Sequence, residues 1–204
     1  MMGRSGIESN AWLIKELGFG YCNAKVGISE QITVEEFIAQ KDALLAEMFP
    51  KCEAFPGAER LVRHFADKGV PMAICSGSCL RKFEQKSVKH RSWLDLIPIK
   101  STWYTVVTLQ VFCADEVGIK RGKPFPDGFL ETMKRFSCPP KDPSQVLVIE
   151  DSPNGVQAAM AAGMLCVVVP DPLFRKQCQE LNATQVLSNI EEFRPEEFGL
   201  PPFN

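Results

Sequence analysis

QVLVIEDSPNGVQAAMAAGM, residues 145–164, runs four apolar residues, Val146 to Ile149, straight into two adjacent acids, Glu150 and Asp151. A small-residue turn and an Ala-rich helical pattern follow. A short continuous apolar run beside turn residues reads as a strand buried on both faces, and the pattern after it as a helix. Two carboxylates at the tip of such a strand repel each other, and bringing them together is costly unless something cationic sits between them. The stretch thus sets a strand–turn–helix unit and asks which cation its acids hold.

The flanking sequence repeats the alternation. MLCVVVP (164–170) follows as a strand; upstream lie the strands VPMAIC (70–75) and LQVFCAD (109–115) and the helices SCLRKFEQKSVKH (78–90) and PDGFLETMKRF (126–136). The prediction is an α/β fold, a Rossmann-like parallel sheet with helices on both faces. The first part of the chain is helical instead. IESNAWLIKELG (7–18) and TVEEFIAQKDALLAEMF (33–49) place apolar residues at helical spacing, the second with Thr33 and Glu36 as a capping box. PKCEAFPGAERL (50–61), punctuated by Pro50, Pro56 and Gly57, marks the boundary between the two parts.

Composition bounds the function. The 204 residues are 45% apolar and 24% charged, values of a soluble globular protein of one domain with at most a small appendage. A net charge of −2 gives no electrostatic reason to expect nucleic acid or an anionic membrane as partner. The start MMGRSGIESN has no apolar core of a signal peptide, and no apolar run approaches the ~20 residues that span a bilayer. Eight cysteines invite a disulfide or zinc reading, but no CxxC occurs. Cys75 and Cys166 lie in apolar runs and read as small core residues in a reducing compartment, with the cytoplasm expected.

Ligands of open α/β sheets bind outside the carboxyl ends of the strands. There the first strand gives Ser76, Gly77 and Ser78, a later one Glu150 and Asp151, and the intervening KRGKPFPDGF places Lys123 ahead of Pro124. Each has a bland alternative: the serines as helix N-caps, Lys123 as a solvated lysine, the acids as partners of a helix N-terminus. Together, a hydroxyl, an ammonium and paired carboxylates form a phosphate-and-metal constellation. Ser76 and the Gly77 N–H would hold phosphoryl oxygens, Lys123 would neutralise them, and Glu150 and Asp151 would offer hard oxygens suited to Mg²⁺.

At these residues the chain resembles the haloacid dehalogenase superfamily of phosphotransferases. AICSGS resembles its second motif, GKPFPD its lysine motif and VIEDSPNGVQAAMAAGM its acidic fourth motif. Within it the likeness is to the group of pseudouridine-5′-phosphatase and glycerol-3-phosphate and sugar-phosphate phosphatases. The resemblance implies a Rossmann-like core over residues 56–204 and a small helical cap over residues 1–55, truncated here. It also implies lesser phosphate- or substrate-side roles for Ser78, for Asn154 in the acidic turn and for Arg4 where the cap reaches over the substrate. The implied activity is Mg²⁺-dependent hydrolysis of a small phosphorylated metabolite, such as a nucleotide, glycerol or sugar phosphate.

Two departures stand out. The family opens with a strand ending in Asp-x-Asp, its nucleophile and acid/base, and no Asp-x-Asp occurs in this sequence. The first core strand, which lies at the centre of the family's sheet, is therefore expected to be missing. Losing about five buried apolar residues at ~1.5–3 kcal/mol each would leave the chain marginal or unfolded by itself. The β-prone KSTWYTVVTLQ (100–110) interrupts a place where the family passes directly to its next strand. It is read either as an added edge hairpin or as an error of the gene model. The alternative to an enzyme is a catalytically inactive fragment or pseudoenzyme that at most binds phosphate or a partner.

Overall fold

The computed structural model describes residues 34–97, 111–112 and 120–204. The expected helix 7–18, Thr33 of the capping box, Arg4 and the segment 100–110 lie outside them. In chain order the described elements are α1 (Val34–Met48), α2 (Ala58–Asp67), β1 (Ile74–Cys75), α3 (Leu80–Ser87), α4 (Arg91–Leu94), β2 (Val111–Phe112), α5 (Asp127–Lys134), β3 (Leu147–Glu150), α6 (Pro153–Ala161), β4 (Leu165–Val168), α7 (Arg175–Glu180) and β5 (Gln185–Val186). The strand–helix alternation is as expected, with strands shorter than the apolar runs that announced them.

Among the described residues all strand pairs are parallel, and they form two sheets. β3–β4–β5 pairs Leu147 with Leu165 and Val167 with Gln185, while β1–β2 pairs Ile74 with Val111. Among the described residues no strand joins the two sheets. Ile149, beside Val167 in the ladder, is 39% exposed.

β4 shows why the sequence dictates this layering. Side chains alternate faces along a strand. Cys166 and Val168 enter a core with Phe129, Val148, Val156, Ala158 and Ala159, beneath α5, α6 and α7. Val167 and Val169 enter a second core with Leu61 and Phe65 of α2 and with Leu187, Ile190 and Phe193. A strand covered on both faces has to be apolar throughout, and VVV is. Burial pushes the Cys166 thiol up to about 12, fitting its expected role as a core residue. Cys75 is only half-buried, packed against the first core. No disulfide joins the described cysteines.

The stretch read only as a boundary supplies α2, whose Leu61 and Phe65 point inward one turn apart. Gly57 precedes it with φ of 83°, and a Cβ there would stand 2.7 Å from Glu191 Cγ, so the turn needs glycine twice over. The C-terminal tail lies along the same helix. His64 Nε2 is 2.9 Å from Pro201 O, and the Arg60 guanidinium stacks 4.2 Å from the Phe203 ring. Among the described residues no helix is long and apolar enough to cross a membrane.

Candidate active site

β1 and β3 deliver their C-terminal residues to one place, and Lys123 ties them together. Its Nζ donates to Cys75 O at 3.1 Å and to Glu150 Oε1, and lies 4.7 Å from the centre of the Phe129 ring. The Lys123 and Glu150 side chains are 12% and 7% exposed, so this is a buried ion pair. Burial pulls the ammonium's pKa down, but the Glu150 charge and the other negative neighbours outweigh it and leave the group above the ordinary lysine value.

The acidic turn is built by a helix start. Ser152 has extended backbone and caps α6, accepting the Gly155 N–H at 3.1 Å, with Pro153 in the first helical position. Glu150 folds over this start. Its Oε2 accepts the Asp151 N–H at 3.1 Å and the Ser152 hydroxyl at 3.2 Å. A Cβ on Gly155 would lie well inside van der Waals contact of the Glu150 carboxylate, so the close approach requires glycine there. Glu150 therefore does what the bland reading assigned to it, complementing a helix N-terminus, while also pairing with Lys123. Asp151 is left on the outer side of the turn, at the surface. Desolvation and then the neighbouring Glu150 charge push its carboxyl above the usual carboxylate range. Replacing Gly155 by Ala is expected to displace this carboxylate and cost about 1–3 kcal/mol, read as a lower midpoint in urea denaturation. An unchanged midpoint would mean that Glu150 is not pinned.

The serine turn sits at the end of β1. Ser76 Oγ accepts the Ser78 N–H at 3.1 Å, and Ser78 Oγ accepts a bond from Lys86 Nζ at 2.9 Å. Neither serine caps α3; Cys79 holds that position and makes no side-chain cap bond. Gly77 forms the turn between them. Lys123 thus brings the residue before Ser76 and the twin acids together, and Asn154 stands half-buried in the first turn of α6. Sequence reasoning passed over Ser152 and Lys86. The S-P pair ahead of an Ala-rich run was the available signal for the first. Nothing marks Lys86 among its basic neighbours Arg81, Lys82, Lys89 and Arg91.

As a metal site, the twin acids bring hard oxygens together; desolvation first and the Glu150 charge second raise the Asp151 pKa, and a divalent cation would offset the second of these. Among the described residues no third His, Cys, Asp or Glu joins them. Mg²⁺ suits such a short set, since it accepts one or two carboxylates and fills its remaining positions with water and phosphate oxygens.

Known proteins share the family and the fold of this chain. A family model for "Hydrolase: haloacid dehalogenase-like hydrolase" matches residues 5–163. The chain is 39% identical over 203 residues to "(DL)-glycerol-3-phosphatase 1, mitochondrial" of Arabidopsis thaliana, a match that takes in 100% of the chain and 61% of that protein. It is 40% identical over 169 residues to "Probable pseudouridine-5′-phosphatase" of Drosophila melanogaster, covering 83% of the chain and 68% of the relative. Among solved structures, a "HAD FAMILY HYDROLASE" from Deinococcus radiodurans R1, with bound phosphate and sodium, superposes with a TM-score of 0.67. That match covers 100% of this chain and 80% of the other at 23% identity, a likeness of fold.

Proposed function

The chain belongs to the haloacid dehalogenase-like hydrolases, and from that premise we propose that it carries the phosphate- and metal-binding residues of a Mg²⁺-dependent phosphatase of small phosphorylated metabolites. The relatives' names favour a nucleotide, glycerol or sugar phosphate as substrate. One observation carries the reading: a single buried ammonium, Lys123, joins the strand end that leads into the serine turn to the strand end that bears the twin acids.

Each side chain then has a task. The Ser76 hydroxyl and the Gly77 N–H hold phosphoryl oxygens, with Ser78, Asn154 and Arg4 in lesser substrate-side roles. Lys123, kept protonated by its carboxylate neighbours, offsets negative charge on the phosphoryl group. Asp151 and Glu150 would hold the metal, Asp151 as the outward carboxylate and Glu150 as the one that fixes both Lys123 and the turn. Mg²⁺ bound there would neutralise charge on the phosphoryl oxygens. The attacking aspartate belongs to the Asp-x-Asp strand that the family supplies and this sequence lacks. A reducing compartment such as the cytoplasm is part of the proposal, resting on Cys166 as a buried core thiol.

A direct test is calorimetric titration of the 204-residue chain with inorganic phosphate, with and without Mg²⁺. Binding is expected to require Mg²⁺ and to weaken at least about tenfold in Asp151→Asn. Phosphate affinity indifferent both to Mg²⁺ and to that substitution would sink the metal assignment. A second reading, that this chain is a catalytically inactive fragment or pseudoenzyme, is favoured by the missing Asp-x-Asp and predicts the same binding without turnover.

A further inference from the structure

α3 and the short turn that extends it carry cations at helical spacing, Lys82, Lys86, Lys89 and His90, on one face. Lys82 reaches α1 itself, and the other three reach the connection at residues 49–53 that follows it. Lys82 Nζ is 2.8 Å from Asp42 Oδ1, and Lys86 Nζ lies 4.7 Å from the centre of the Phe49 ring. Lys89 pairs with Glu53, and His90 Nε2 is 2.9 Å from Cys52 O. Lys86 also turns toward the other side. Its Nζ donates at 2.9 Å to Ser78 Oγ, and the Ser78 N–H in turn is held at 3.1 Å by Ser76 Oγ. One half-buried ammonium thus touches both the connection at residues 49–53 and the serine turn. A face of the ring and a hydroxyl oxygen are both groups that a cation orders.

We propose that Lys86 is a positioning residue that couples the 49–53 connection to the serine turn, so that the setting of α1 and the shape of the phosphate-binding turn are adjusted together. The coupling rests on the proposed phosphate role of Ser76–Ser78 for its meaning, but not for its test. Lys86→Met keeps the stem of the side chain and removes the charge. Phe49→Leu removes the ring from the far side without touching the turn.

Amide hydrogen exchange of the intact 204-residue chain, read by mass spectrometry, tests the link. In Lys86→Met both 49–53 and 76–79 are expected to exchange about tenfold faster, the loss that goes with one charge-assisted hydrogen bond. Lys86→Arg is expected to restore most of the protection. Phe49→Leu is expected to loosen 76–79 as well as its own segment, and Lys82→Met to loosen the neighbourhood of Asp42 while leaving 76–79 at the wild-type rate. Faster exchange at only one of the two segments in Lys86→Met, or an unmoved 76–79 in Phe49→Leu, would overturn the proposal. So would Lys82→Met loosening 76–79 as much as Lys86→Met, because the effect would then be a general softening of α3. A separate arm adds Mg²⁺ and inorganic phosphate. If the two segments respond together but phosphate leaves 76–79 unprotected in the wild type, the link stands and the phosphate role of the turn falls.

Discussion

The 204-residue chain is expected to give no measurable Mg²⁺-dependent turnover of a small phosphomonoester, and the same chain preceded by a strand ending in Asp-x-Asp and a first cap helix is expected to turn over ~10⁶-fold faster. The size of the effect follows from what each group does. In the proposed function Ser76, Lys123 and the twin acids would bind and offset charge, which would lower the barrier for an attack that something else must make. Without a covalent nucleophile the attacking species is unpositioned water, and the step that a carboxylate would split into two easier ones remains whole. The added strand has a second effect, because β1 and β3 are edge strands among the described residues, and it would pair with them and bury apolar area between them. A control extension with Asn in place of the first Asp separates the two, as it should restore stability while leaving turnover near zero. Turnover by the 204-residue chain within about tenfold of the extended protein would show that an acid already present does the work. No turnover by either would favour the inactive reading.

Lys123→Met is expected to cost about 3–5 kcal/mol in urea denaturation, the loss that follows removal of one partner from a buried ion pair. Both side chains are nearly inaccessible to water, so the Glu150 carboxylate would keep its place against Gly155 and the helix start with its main countercharge gone. The double variant Lys123→Met/Glu150→Gln should recover much of the loss, since the amide removes the stranded charge. A cost below about 1 kcal/mol would place the pair among solvated surface bridges. The pH dependence has a definite sign. Because the folded ammonium has the higher pKa, its stabilisation is complete below the unfolded lysine value of about 10.4 and is lost as pH rises through the folded value. The gap between wild type and Lys123→Met should therefore be widest at neutral pH and close in strong alkali.

How far the sequence could be read depended on the length over which a signal was sustained. β3, α6 and β4 were legible because an unbroken apolar strand, a capped turn and an Ala-rich helix each leave a distinct pattern within residues 145–170. α2 was obscured by the Pro and Gly punctuation before it, although Leu61 and Phe65 sit at helical spacing. β5 and α7 were missed for a different reason. A two-residue strand, Gln185–Val186, and the polar helix RKQCQE have too little periodicity of their own and are fixed by β4 and the first core. At the site, the strand-end positions of Ser76, Glu150 and Asp151 were legible from residue type and apolar pattern, while their shared role is a proposal. The particular bonds were not legible. That Glu150 rather than Asp151 takes the lysine, and that Lys86 reaches the serine turn, depends on which side chain is turned inward, a choice made by tertiary packing.

The alternation along β4 has a further consequence. Cys166 and Val167 are joined by one peptide bond yet lie in different cores, whereas Val167 and Phe193 are distant in sequence and share one. Energetic partnership in this molecule therefore runs across the sheet rather than along it. Neighbouring substitutions on that strand act as nearly independent perturbations, and variants far apart in the chain are the ones that must be judged together.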